Sequence, residues 1–244
     1  MTMIDLEEDR FHDGLIRSAA DMLALVRQKG FLPLIGPSFS RNTIPGFSVE
    51  EFTPREYWFL YGVEGPWEWK DPVIRSGQVA YGRLLLSRAS FVSLEWFPDL
   101  MNWRRSHFRF RPKRESKEKL VYETIQLCES LQTGEIREAC GFRRRSESRA
   151  NARKKASREH SMEHVLMRLM MGTYLVIHSF EQHYDRNMQP YGWGIARYTT
   201  PEHMFGAEAL RCDRTPEESA KRILEKLARE IPDATDAQLR EILG

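Results

Sequence analysis

Cysteine is scarce in this chain. Cys128, Cys140 and Cys212 are the only three in 244 residues, too few and too scattered for a disulfide framework. Long apolar runs are missing as well, and no stretch approaches the roughly 18 residues that a membrane-spanning helix needs. The first ten residues are acidic and polar, unlike the basic and then apolar order of a secretion signal. No Cys/His spacing matches a zinc site, and the seven histidines are dispersed. A Gly-rich phosphate loop, a nucleophile elbow and a metal-ligand motif are all lacking, as are internal repeats and low-complexity tracts. These gaps predict a cytoplasmic protein with packed, reduced thiols, no metal, no cofactor and no membrane partner.

What is present is ordinary in amount and unusual in placement. Hydrophobic residues make up 41% of the chain and charged residues 30%, as in a soluble globular protein large enough for a proper core. The net charge of +2 conceals two basic blocks. Residues 104–119 hold eight Lys/Arg against Glu115 and Glu118, and residues 143–158 hold eight against Glu147. The rest of the chain is therefore acidic. Segregation of this kind creates a local positive field suited to a polyanion. A pair of solvated charged loops is the plainer alternative.

The stretch from Ser116 to Thr200 has an order of its own. Leu120, Val121, Ile125 and Cys128 recur at helical spacing over 116–129. Thr133 can cap a second, short helix that buries Ile136, Ala139 and Cys140 and stops at Gly141. A third helix over 157–171 carries Met162, Val165, Leu166, Leu169 and Met170 on one stripe. Residues 174–183 and 192–199 then read as two strands joined by a polar turn. Three helices followed by a hairpin is the order of a winged helix-turn-helix, whose third helix commonly enters a DNA groove.

Elsewhere the chain reads as a mainly helical α+β protein: a winged helix-turn-helix packed with an N-terminal mixed α/β subdomain. Residues 1–110 form that subdomain, 111–206 the winged module and 207–244 the C-terminal helices. A helix over 3–29 ends at Gly30. Residues 79–86 and 89–94 make a hairpin, and Phe97-Pro-Asp99 opens a further helix. The grammar of a capped helix start, Thr-Pro with a glutamate close behind, appears at Thr53, Thr200 and Thr215, and Thr235 with Gln238 repeats it without proline.

Two sets of side chains are candidates for function. For duplex DNA they are Arg143, Arg144, Arg145, Arg149, Arg153, Lys154 and Lys155 in the basic insertion, His160, His164 and Arg168 on the outer face of the third helix, and Arg186 in the hairpin turn. His160, His164 and Arg168 are spaced i, i+4, i+8, so they share a face and could reach bases or phosphates together. Met167 and Met171 beside them favour a protein contact instead. The second set is Trp67, Glu68 and Trp69, where aromatics could stack an extruded base and a carboxylate could position a water. The plainer alternative is a tryptophan-rich core.

Gly30-Phe-Leu-Pro33, Asn42-Thr-Ile-Pro-Gly-Phe-Ser-Val-Glu-Glu51, Gly65-Pro-Trp-Glu-Trp-Lys70, residues 91–105 and Tyr191-Gly-Trp-Gly194 resemble a bacterial family related to the AlkZ-type DNA glycosylases. The resemblance covers most of the chain. It implies a winged-helix fold and a link to DNA repair, since AlkZ-type enzymes excise alkylated or crosslinked bases without a metal. Those enzymes use a Gln-x-Gln or Gln-x-Asp motif to position the attacking water. Some relatives have Leu-Gln-Met-Gln-Thr-Tyr where this chain has Leu169-Met-Met-Gly-Thr-Tyr174. Both glutamines are absent here, so the resemblance brings no catalytic residue with it. Three readings stay open: a nucleic-acid-binding protein, an active glycosylase, and a protein-interaction module.

Overall fold

The computed structural model describes residues 14–36, 44–60, 62–142, 161–184, 186–188 and 190–244. It is an α+β structure in which helices surround two small antiparallel sheets. The first half runs α1 (Ala19–Lys29), β1 (Phe31–Pro33), a 3-10 turn (Val49–Phe52), α2 (Glu56–Phe59), α3 (Pro66–Arg75), β2 (Val79–Leu85), β3 (Arg88–Ser93) and α4 (Phe97–Ser106). The second half runs α5 (Lys117–Cys128), β4 (Ser130–Gln132), α6 (Thr133–Ala139), α7 (Met162–Met171), β5 (Val176–Tyr184), β6 (Pro190–Thr199), α8 (Pro201–Phe205), α9 (Pro216–Glu230) and α10 (Asp236–Leu243).

Local chemistry fixes most of these bounds. The first helix is shorter than its apolar spacing predicts. The Ser18 side chain accepts a hydrogen bond from the Asp21 backbone and starts α1 there, so residues 14–18 precede the helix. Gly30 closes it at φ 79°. Thr53 does not open a long helix either. Its hydroxyl donates to the Val49 carbonyl at 2.7 Å, ending the 3-10 turn, and α2 lasts four residues. The starts at Thr200, Thr215 and Thr235 are helix caps, with capping boxes at the last two.

The first sheet has the order β1-β3-β2, and Leu86 and Ser87 turn its hairpin with φ 51° and 57°. Two residues at positive φ are what a two-residue hairpin turn matched to strand twist requires. The second sheet has the order β4-β6-β5, with Thr199 opposite both Ser130 and Val176.

Two apolar clusters hold these parts together. One joins Leu23, Val26, Trp69 and Phe91 to Val121, Ile136, Leu166 and Leu175. The other joins Phe31, Leu84, Phe97 and Leu100 to Ile223, Leu227 and Ile242. Each draws side chains from both sides of residue 110. Burial at this scale is the dominant favourable term, at about 25 cal/mol per Å² of apolar surface.

Two expected packings are corrected. Only Val121 and Ile125 of α5 are buried, while Leu120 and Cys128 are exposed. In α6 Ile136 is buried and Cys140 follows it inward, but Ala139 faces solvent. A seven-residue helix has one inward stripe, and positions 136 and 140 fill it.

Candidate nucleic-acid interface

The second half of the chain supplies the candidate surface. Ser116 accepts from the Lys119 backbone at 3.2 Å to start α5, and Glu129 stops the helix at φ 63°. The chain enters β4 directly, and α6 follows with Gln132, not Thr133, as its cap residue. The Glu135 carboxylate accepts the Gln132 N–H at 2.6 Å there. Ser161 caps α7 through the His164 backbone at 3.2 Å. The α7 stripe Met162, Val165, Leu166, Leu169 and Met170 is buried as its spacing predicts.

The other flank of α7 is docked as well. The sulfur of Met170 accepts the Arg83 N–H at 3.4 Å, and that of Met171 accepts the Ser87 N–H at 3.3 Å. A methyl group on Gly82 would stand 3.0 Å from the Met170 sulfur, so glycine there lets α7 settle on the β2–β3 hairpin. His164 and Met167 are half-buried and Glu163 is exposed. The Arg168 guanidinium is ion-paired with Glu118 of α5 and donates to the Arg109 carbonyl at 3.2 Å. The outer face of α7 is thus partly engaged by the protein itself. His160 lies outside the described residues, as do Arg143, Arg144, Arg145, Arg149, Arg153, Lys154 and Lys155.

The β5–β6 hairpin projects a different set. Its turn exposes Arg186 and Met188, with Tyr184 exposed at the end of β5. The base of the hairpin is held firmly. The Asp71 carboxylate of α3 accepts the Phe180 N–H at 2.6 Å, satisfying an edge-strand donor. Arg197 donates to Glu181 at 2.5 Å and lies 3.5 Å from Glu135. The hydrogen bond and charge of Arg197, helped by a hydrogen bond from Gln132, hold the Glu181 carboxyl below its ordinary pKa against the opposing effect of burial.

The basic block at 104–119 divides into structure and surface. Arg104 is fully buried. Its guanidinium donates to the carbonyls of Leu84 at 2.5 Å, Met171 at 2.8 Å, and Ile242 and Leu243 at 2.9 Å. Three of those acceptors lie at the C-terminal ends of α7 and α10, where orphan carbonyls and the helix dipole favour a cation. Burial, with Arg109 nearby, pulls its pKa down to about 9, so it stays charged at neutral pH. Arg105 pairs with Glu202 at 2.5 Å and donates to the Thr173 carbonyl at 2.6 Å. Lys117 donates to the Cys140 carbonyl at 2.7 Å. Arg109, Arg111, Lys113 and Arg114 remain on the surface. The burial of Arg104 was readable in principle, because it continues the Phe97, Leu100, Met101 stripe at helical spacing.

Trp67, Glu68 and Trp69 do not converge. All three lie in the first turn and a half of α3, where successive side chains diverge by about 100°. Trp69 is in the core against Tyr57, with ring centroids 5.3 Å apart. Trp67 is half-buried and meets Trp58 edge-on at 5.7 Å. The Glu68 carboxylate accepts the Gly65 N–H at 2.9 Å as the helix cap. The ammonium of Lys70 lies 4.6 Å from the Phe180 ring centroid and 5.5 Å from that of Trp67, and burial lowers its pKa.

Position 172 has no room for a side chain. A methyl group on Gly172 would stand 2.9 Å from the Phe110 carbonyl and 3.0 Å from the Tyr174 ring. Among the described residues no three His, Cys, Asp or Glu side chains group as a metal site, and no helix is long and apolar enough to cross a membrane.

The profile of the family described as "AlkZ related" matches residues 16–244. The chain belongs to the AlkZ-related family. A search of curated proteins finds no match for this AlkZ-related chain. Among solved structures, the Streptomyces sahachiroi DNA glycosylase AlkZ is similar at a TM-score of 0.49 and 13% identity, over 96% of this chain and 61% of that one. The AlkZ-related chain thus spans about three-fifths of that protein's length, and a likeness at this level transfers no residue role.

Proposed function

We propose that this AlkZ-related chain binds duplex DNA through a winged helix-turn-helix without catalysing a reaction of its own. The observation that carries the reading is the order α5–β4–α6–α7–β5–β6 closed by the β4-β6-β5 sheet. That order supports a helix-turn-helix followed by a wing. The exposed Arg186, Tyr184 and Met188 at the hairpin end support a wing that touches backbone and groove. The surface residues Arg109, Arg111, Lys113 and Arg114, with the basic insertion between α6 and α7, supply the positive field. Membership of the AlkZ-related family makes DNA the first partner to test.

The pairing of Arg168 with Glu118 argues for phosphate and shape recognition over base reading by the middle of α7. Arg168 would have to exchange a carboxylate for a base edge. The dispersal of Trp67, Glu68 and Trp69, and the closure of position 172, weigh against a glycosylase centre at either place. Titration of the full chain with a labelled duplex over a salt series tests the binding claim. An abasic-site assay on alkylated duplex tests the catalytic one. Salt-sensitive binding with no abasic product is the expected result. Accumulation of abasic sites would establish a glycosylase, and salt-independent or absent binding would leave a protein-interaction module.

A further inference from the structure

The outer face of α5 is the most conspicuous surface that this reading leaves unused. Leu127 is 85% exposed and Leu120 42% exposed. Seven residues apart on a helix, they stand almost in line, about 10.5 Å apart along the axis. Beside Leu120 lies a hollow of about 430 Å³ walled by Glu115, Ser116, Lys117, Lys119, Leu120 and Glu123. One helix face therefore carries an apolar knob at its C-terminal end and a depression at its N-terminal end. On the rim of the depression Lys119 and Glu123 lie 3.5 Å apart, both well exposed, with Glu123 about midway between Leu120 and Leu127.

We propose that two copies of this chain associate through α5, antiparallel about a two-fold axis near Glu123, with the Leu127 of each copy seated in the hollow of the other. An isologous contact requires a surface that complements itself, and this face does so in shape and in charge. The axis sets the knob of one helix against the depression of the other. It also gathers two Lys119 and two Glu123 into an alternating cluster, each lysine within reach of the partner's carboxylate. A single helix face buries less than the roughly 800 Å² per partner of a standard interface, so the dimer is weak, with a Kd of roughly 10–100 μM.

Sedimentation velocity of the full chain over a concentration series is the test. The average mass should rise from monomer toward dimer across that range. Leu127→Lys should weaken association at least about tenfold and leave the melting temperature unchanged, because the side chain is already in solvent. Lys119→Glu should also weaken it, and the swap Lys119→Glu/Glu123→Lys should restore it by rebuilding the alternating cluster. A mass that stays monomeric throughout overturns the proposal. So does a dimer indifferent to Leu127→Lys, or a charge swap that fails to restore association. A monomer whose duplex affinity falls with Leu127→Lys would assign this face to nucleic acid instead.

Discussion

Arg104 shows how a single residue can be misassigned by counting charge. It belongs to one of the two basic blocks of the chain, yet its guanidinium is sealed among four carbonyls. A methionine of similar length would leave those carbonyls buried without donors, at about 1–3 kcal/mol for each one that water cannot reach. Arg104→Met should therefore lower unfolding stability by about 3 kcal/mol or more in urea denaturation. It should leave the salt dependence of DNA binding unchanged. An Arg104→Met protein as stable as the parent would mean that the carbonyl cage contributes nothing net. Cys128 and Leu120 were misjudged for a related reason. Periodicity says which residues share a face of α5, but not that this face meets solvent.

At the scale of elements the reading from sequence succeeded where local chemistry decides. Thr200, Thr215 and Thr235 all cap the helices that follow them. The long stripe of α7 faces inward as written. It failed at Thr53, whose hydroxyl donates back four residues to Val49 instead of opening a helix, and at β4, which is too short to announce itself and pairs along the edge of β6. The pairs that anchor the hairpin, Asp71 with Phe180 and Glu181 with Arg197, join distant segments, so no local pattern marks them. The Glu181 carboxyl is held below its ordinary pKa by Arg197, and this gives a pH test. A carboxyl whose folded pKa is depressed stabilises the fold above its unfolded value of about 4.3, and that contribution is lost as pH falls through the lower folded value. The melting temperature of Glu181→Gln should thus lie below the parent at neutral pH and converge with it on acidification below about pH 4. A constant difference between the two proteins down to acid pH would show that the carboxylate charge is not what ties β5 to β6.

For the whole molecule, the helices, the hairpins and the family were largely legible from the sequence, whereas the candidate site was legible only as chemistry. Trp67, Glu68 and Trp69 are near in sequence and diverge in space because α3 is a helix. His164 and Arg168 share a face, but Glu118 and Arg109 already engage Arg168. The central claim, that the segregated positive charge exists for duplex DNA, is tested most directly by the slope of log affinity against log salt. Each phosphate neutralised releases about 0.9 of a counterion. Replacing Arg143, Arg144 and Arg145 with alanine should flatten that slope by up to roughly 3 units and weaken all duplex sequences about equally. A triple variant with the affinity and slope of the parent would contradict the account.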